Sequence, residues 1–273
     1  MQNWLVLLMT FGIINPIYTS KVKKIIQENY RVKTIEIDNN IPKALPGQFL
    51  MVWIPGVGER PMSIGNNFPL TISVADVGKV SKEICALKVG NKISYRGPLG
   101  KEFVIAPKTK RVLVIGGGYG IVPMYFLSKC ATEDGVEAVA VVGGRNEKDI
   151  IYEKQLFAVC KEVFLTTDDG SRGKKGTVME EVKWLVESKK FDCVYCCGPE
   201  RMMEAVAKIC SQHRVACQVS VERYMKCGIG VCGSCDINGK FACIDGPVMS
   251  GEQALSLADF GKAHRDASGV LHK

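Results

Sequence analysis

From Tyr18 to about Val104 apolar and polar residues alternate over short runs, with turn residues between them. Val32-Lys33-Thr34-Ile35-Glu36-Ile37 alternates with period two, as a half-buried strand does. Phe49–Ile54 is predicted as a second strand, entered through Pro46-Gly47, with Leu70–Val74 a third and Lys92–Tyr95 a fourth. Many short strands without long helical windows predict a barrel or sandwich. The texture changes at Lys108-Thr109-Lys110. Arg111–Ile115 is a continuous apolar strand, followed by a glycine run and a helical window over Val122–Ala131. Further buried strands are predicted at Val136–Val142, Val163–Thr166 and Cys193–Cys196, with helical windows at Tyr152–Val159, Val178–Glu187 and Arg201–Gln212. Strands alternating with helices predict a doubly wound parallel sheet. From about Val219 the chain is rich in Cys and Gly, which predicts a small module held by metal rather than by a large core.

The chain has 273 residues, enough for about two domains. Hydrophobic residues make up 47% and charged residues 23%, which excludes a disordered, collagen-like or low-complexity chain. Lys and Arg exceed Asp and Glu by 36 − 28 = 8, but the charge is spread and no block of five like charges occurs. A nucleic-acid tail is therefore not expected, and the mild basic balance suits an acidic partner or a phosphorylated cofactor. Twelve cysteines in so long a chain are not a small secreted disulfide framework. They point to a reducing, cytoplasmic compartment. Met1 to Ser20 carries no side-chain charge, and its apolar run is broken by Thr10, Gly12, Asn15 and Pro16. It is too short and interrupted for a membrane helix and lacks the basic start of a signal peptide. Residues 1–17 are expected to be an apolar extension, ahead of segments 18–107, 108–218 and 219–273.

Candidate chemistry concentrates at four places. Cys227, Cys232, Cys235 and Cys243 follow a C-x4-C-x2-C spacing with a fourth Cys after seven residues. That is the plant-type ferredoxin spacing for a [2Fe–2S] cluster. Two irons need four thiolates from a loop that wraps them, and Gly228, Gly230 and Gly233 permit the sharp turns. The alternatives are zinc or reduced core cysteines; zinc sites favour C-x2-C pairs, and the first gap here is four. Next, Gly116-Gly117-Gly118-Tyr119-Gly120 stands between a strand and a helix, with Pro123 in the first helical turn. Backbone N–H groups there would cradle a pyrophosphate; the alternative is a tight turn without ligand. The acid usual at the end of the next strand is replaced by Gly143-Gly144-Arg145. Third, Arg60-Pro61-Met62-Ser63 puts an arginine and a hydroxyl together, as a diphosphate site requires, although an ordinary turn looks the same. Fourth, Cys197 ends a buried strand before Gly198-Pro199, beside a nicotinamide or simply in the core. Cys193 and Cys196, with Cys85, Cys130, Cys160, Cys210 and Cys217, read as core cysteines. Asp168-Asp169 reads as a solvated turn, and the three histidines form no ligand spacing.

A barrel with Arg-Pro-x-Ser, followed by a GGGxGxxP domain ending in Cys-Gly-Pro, resembles the ferredoxin–NADP reductase superfamily. Met225-Lys-Cys-Gly-Ile-Gly-Val-Cys-Gly-Ser-Cys and Ala242-Cys-Ile-Asp-Gly-Pro-Val narrow the resemblance to the electron-transfer subunits of type B dihydroorotate dehydrogenase. It covers Tyr18 to the C-terminus. It implies an antiparallel β-barrel FAD domain, an α/β doubly wound NAD domain and a small C-terminal [2Fe–2S] module. Arg60, Pro61, Met62 and Ser63 would contact the flavin and its phosphates, and Ser73, Val74 and Ala75 would line the next strand. Gly78-Lys79-Val80-Ser81 takes the family's Gly-x-Gly-Thr place, so Val80 and Ser81 would meet the pyrophosphate. NAD would lie on Gly116, Gly117, Gly118, Gly120 and Cys197. Cys227, Cys232, Cys235 and Cys243 would ligate the cluster.

The resemblance further implies a partner: an FMN-containing catalytic subunit that oxidises dihydroorotate to orotate in pyrimidine synthesis, in a heterotetramer of two catalytic and two electron-transfer subunits. This chain shows no dihydroorotate site of its own, so no catalytic residue is assigned to it. Two other readings stand beside this one. The flavin subunit of an NAD(P)H:ferredoxin or sulfide oxidoreductase has the same modules, but its first cluster ligand is usually Asp, where Cys227 stands here. A zinc-stapled binding protein without enzymatic activity would keep the fold alone.

Overall fold

The computed structural model describes residues 16–38 and 41–272. The expected extension over 1–17 lies, apart from Pro16 and Ile17, outside the described residues. Among these, no helix is long and apolar enough to cross a membrane.

The first six strands are β1 (Tyr18–Gln27), β2 (Val32–Ile37), β3 (Phe49–Ile54), β4 (Gly58–Asn66), β5 (Leu70–Ala75) and β6 (Lys92–Leu99). They close into an antiparallel barrel in the order β1-β2-β5-β4-β3-β6. Alternation sends Ile35, Ile37, Ile72 and Val74 inward to one core with Leu50, Val52 and Ile64. Thr34 departs from strict alternation by being buried on the outer face. There its hydroxyl meets Ser73 Oγ at 2.7 Å and Tyr152 Oη at 3.2 Å, so the barrel wall is covered by the second domain. β1 and β4 were not predicted. β1 faces Lys21, Lys23 and Lys24 to solvent, and β4 carries Pro61, so neither shows a clean apolar period.

One helix, α1 (Lys79–Ala86), interrupts the barrel where only strands were expected. Its first turn is the Gly78–Ser81 stretch. Ser81 Oγ accepts from Gly78 N at 2.9 Å and donates to Gly78 O at 3.0 Å, closing the helix start on itself.

Next come β7 (Arg111–Gly117), α2 (Ile121–Glu133), β8 (Glu137–Gly144), α3 (Glu153–Val159), β9 (Glu162–Thr167), β10 (Lys174–Lys175), α4 (Val178–Ser188), β11 (Cys193–Cys197), α5 (Glu200–Gln212) and β12 (Ala216–Ser220). The sheet runs β10-β9-β8-β7-β11-β12 in parallel. Val112, Leu113, Val114 and Ile115 are all fully buried, because helices cover both faces. Leu113, Ile115, Val139 and Val141 pack with α4 and α5. Val112, Val114, Ala138 and Ala140 pack with α2 and α3.

The C-terminal part contains the two-stranded β13 (Asp236–Ile237) and β14 (Lys240–Phe241), then β15 (Val248–Ser250), α6 (Gly251–Ser256), and the β16 (His264–Arg265)–β17 (Leu271–His272) hairpin. It is less separate than its composition suggests. β15 adds antiparallel to β12 as the edge of the nucleotide sheet, and residue 219 falls inside β12. Cys235, Ile237, Ala242 and Cys243 share one buried cluster with Phe49 and Met51 of the barrel and Met203 and Val206 of α5. This part therefore has a core, borrowed from both neighbours.

Candidate functional site

The loop from Cys227 to Cys235 folds by glycine turns: Gly228, Gly230 and Gly233 have φ of +69°, +76° and +71°. These left-handed turns aim successive N–H groups at sulfur. Ile229, Val231 and Cys232 donate to Cys227 Sγ at 3.5, 3.4 and 3.5 Å, and Gly230 donates to Cys243 Sγ at 3.2 Å. Neutral thiols are weak acceptors, so four N–H groups spent on two sulfurs suit thiolate ligands. The Cys227 thiol interacts with that of Cys232, and the Cys243 thiol with those of Cys235 and Cys227, so the four sulfurs form one neighbourhood. Four thiolates are the ligand count of a [2Fe–2S] cluster. Cys235 and Cys243 are buried, whereas Cys232 is exposed, as are Ile229, Val231 and Ile244.

A cavity of about 1000 Å3 lies between the barrel and the nucleotide sheet. Arg60, Pro61, Met62 and Ser63 line it from β4, Ser73 and Ala75 from β5, and Val80 and Ser81 from the start of α1. Val74 does not; alternation turns its side chain into the barrel core, so only its backbone faces that way. Arg60 lies 4.9 Å over the Tyr224 ring, which holds its cation at the cavity wall. Lys79 and Arg201 add positive charge, as a diphosphate requires, whereas Arg223 on the same wall is paired with Glu200. The size, the cations and the N-terminus of α1 fit a flavin dinucleotide. Val80, in the place of a family glycine, is buried against the barrel core and also lines the edge of this cavity.

A second cavity, of about 850 Å3, opens at the C-terminal ends of the parallel strands. Gly117, Gly118, Gly120 and Cys197 line it, and Gly116 does not. The glycines divide by role. A Cβ on Gly116 would lie 2.7 Å from Ile121 Cα, and one on Gly120 would lie 2.1 Å from the Cys197 carbonyl oxygen. These two let strand ends and helix touch. Gly118 has φ +55° with open space beside it and faces the cavity. Arg145 lines this cavity but is engaged, donating to Asp149 Oδ2 at 2.9 Å. Asp168 lines it too, while Asp169 is held below the usual carboxylate range by the Ser171 hydroxyl and N–H.

The two cavities meet. Pro61, Ser63, Tyr119, Glu222 and Met225 line both. None of Tyr119, Glu222 or Met225 was singled out from the sequence, although Tyr119 sits inside the glycine motif and Met225 two residues before Cys227. Nor was Arg31, whose guanidinium lies 5.1 Å over the Tyr119 ring. The buried pair Arg223–Glu200 was also missed; it ties the junction to the C-terminal tail through Ala263 O and Gly261 N. No short motif carries these contacts.

Cys197 lies half-buried in the wall of the second cavity. Burial and the nearby Glu222 carboxylate push its thiol up to about 12, so it is protonated at neutral pH. Thiolate, not thiol, is the nucleophile. Brief iodoacetamide treatment at pH 8 is therefore expected to spare Cys197. Peptide mass mapping would detect the contrary result, fast modification there.

A six-stranded barrel, a doubly wound sheet, adjoining cavities and a four-thiol loop define a flavin- and nicotinamide-linked iron–sulfur oxidoreductase. Residues 222–255 match the family model for the iron–sulfur cluster binding domain of dihydroorotate dehydrogenase B, and residues 114–208 the oxidoreductase NAD-binding domain. The chain is 39% identical over 251 residues to a probable dihydroorotate dehydrogenase B (NAD(+)), electron transfer subunit, of Methanocaldococcus jannaschii, covering 91% of this chain and 95% of that one. It is 40% identical over 256 residues to the like-named protein of Methanocella arvoryzae, covering 92% and 96%. It belongs to the family of dihydroorotate dehydrogenase B electron transfer subunits. Among solved structures it is similar to a chain of the NADH-dependent reduced ferredoxin-NADP oxidoreductase, with TM-score 0.77, 30% identity, and coverage of 85% and 88%. A ferredoxin reductase of carbazole 1,9a-dioxygenase shares the fold at TM-score 0.63 and 20% identity, over 74% of this chain and 67% of that one.

Proposed function

We propose that this chain is the electron-transfer subunit of an NAD-linked type B dihydroorotate dehydrogenase, working with a catalytic subunit that oxidises dihydroorotate to orotate. FAD held by Arg60, Ser63 and the start of α1 would supply two-electron exchange with the nicotinamide and one-electron exchange with the [2Fe–2S] cluster, and so would link NAD+ to the partner's FMN. The observation that carries this reading is the junction: the two cavities share a wall, and Met225 in that wall is two residues from Cys227.

Each bound group has its residues. Arg60, Ser63 and the start of α1 would hold the flavin diphosphate, with Met62, Ser73 and Ala75 along the ring side. Gly117 and Gly118 would receive the nicotinamide dinucleotide, and Cys197 would stand beside its ring as a neutral thiol. Cys227, Cys232, Cys235 and Cys243 would ligate the cluster. The partner would dock where Cys232 is exposed and Val231 is 79% exposed, since that edge brings the cluster nearest to another protein. A two-plus-two heterotetramer in the cytoplasm is the assembly this reading carries.

Arg60→Ala is expected to weaken FAD retention about 10- to 100-fold, the scale of one lost charge-assisted contact to phosphate. Flavin content after desalting, measured by absorbance, checks it; full retention would move the diphosphate elsewhere.

The reading as a whole is tested by anaerobic co-purification with a dihydroorotate dehydrogenase catalytic subunit. Flavin and iron–sulfur absorbance, with NAD+ reduction by dihydroorotate only in the complex, is the expected result. Cofactors present without that activity would favour a ferredoxin or sulfide oxidoreductase, and a colourless protein with zinc would sink the reading.

A further inference from the structure

The cluster loop is seated on the barrel at one place. Between β3 and β6 the register slips: Met51 pairs with Arg96 but Phe49 with Leu99, so β6 carries an extra residue. Such a bulge re-aims side chains. Both flanking residues of β6 reach the cluster loop. A Cβ on Gly228 would lie 2.8 Å from Met51 Cγ and 3.1 Å from Leu99 Cδ1. Arg96 donates from Nε to Glu59 Oε1 at 2.8 Å and from Nη2 to Glu59 Oε2 at 2.7 Å. The same Nη2 donates to the Cys227 carbonyl oxygen at 2.9 Å. The side chains of this fork are only 14% and 22% exposed, which leaves the guanidinium one geometry. Glu59 directly precedes Arg60 on the strand that lines the flavin cavity.

We propose that Arg96, oriented by Glu59, is a positioning residue for the iron–sulfur cluster. It fixes the Cys227 peptide, and with it the sulfur that Ile229, Val231 and Cys232 N–H groups address, relative to strand β4. This inference rests on the four-cysteine reading above. A salt bridge serving the barrel alone would use the fork only within the barrel; here its third hydrogen bond goes to a peptide 131 residues away, at a cluster ligand. Charge adds a second consequence. Reduction gives the cluster one more negative charge, which Arg96 favours and Glu59 opposes. Loss of either residue therefore shifts reduction in opposite directions.

The test uses the full chain, purified anaerobically with its cofactors. The dithionite-reduced cluster is examined by electron paramagnetic resonance and titrated for its midpoint potential, with flavin absorbance as the control for folding. Arg96→Ala is expected to lower the reduced-to-oxidised ratio about tenfold at the wild-type midpoint, which is 59 mV for one electron, and to alter the line shape. Glu59→Gln is expected to raise the ratio. Arg96→Lys is expected to recover most of the potential, because the charge returns, but not the line shape, because the fork does not. If Arg96→Ala does not fold, the Lys and Gln variants decide. A cluster with unchanged line shape and potential in Arg96→Lys and Glu59→Gln, or with both shifted the same way, overturns the proposal and leaves the four-cysteine reading standing. A wild-type protein without iron overturns both.

Discussion

Replacing Cys235 with alanine is expected to remove the cluster absorbance and to cut dihydroorotate-dependent NAD+ reduction in the complex by at least about a hundredfold. Cys235 is the ligand with the most to lose. It is 2% exposed, and its carbonyl accepts the Ala242 N–H at 3.1 Å, which brings it beside Cys243. No other thiol can take its place from solvent. The barrel core and the α2/α3 side of the parallel sheet do not include Cys235, so flavin should remain bound. NADH-driven reduction of a dye that accepts directly from flavin should stay near the wild-type rate. That pair of results separates loss of the relay from loss of the fold. A variant that kept its iron–sulfur spectrum, or reduced NAD+ from dihydroorotate within tenfold of wild type, would remove Cys235 from the ligand set.

Gly120→Ala is the second large effect, and its cause is steric. The new Cβ would sit 2.1 Å from the Cys197 carbonyl oxygen and 2.6 Å from Gly198 N. Both are backbone atoms, so no side-chain rotation relieves the overlap. The start of α2 and the end of β11 must separate, at about 3 kcal/mol or more of folding stability. They also frame the nucleotide cavity, so NADH affinity should fall with stability. Gly118→Ala is the comparison. Its φ of +55° costs a non-glycine residue about 1–2 kcal/mol, but nothing stands within 4 Å of the added carbon. Urea midpoints, read beside NADH binding by calorimetry, check both. Equal midpoints for the two variants would show that Gly120 is not the closer contact.

These two residues also mark how far the sequence could be read. Both lay inside motifs: Cys235 in a four-cysteine spacing, Gly120 in a glycine turn between strand and helix. The motif located them, but it did not separate their roles. Gly116, Gly117, Gly118 and Gly120 look alike in the chain, and only the packing shows that Gly116 and Gly120 admit backbone while Gly118 faces the cavity. Strands with a clear pattern were legible: β2 and β5 by alternation, β3, β7, β8 and β11 as continuous apolar runs. β1 and β4 were not, because lysines and Pro61 break the pattern. Val74 was carried into the flavin site with its neighbours, and strand alternation turns its side chain away. The helix at Lys79–Ala86 was hidden in a stretch read as a phosphate loop.

What the sequence by itself determined is what depends on short spacing. A loop of seventeen residues carries all four cluster cysteines, so their order alone dictates which turns can bring them together. The same holds for the glycine turn, where strand, N–H groups and helix are consecutive. What only the tertiary structure decided is every contact between distant segments: the wall shared by the two cavities, the Arg223–Glu200 pair under the tail, and Arg96 on the Cys227 carbonyl. Those partners lie tens to more than a hundred residues apart, and no local preference of the chain links them. They meet because burial of the apolar faces of barrel, sheet and cluster loop sets the domains together, and the polar groups left at the seams must then find partners across them.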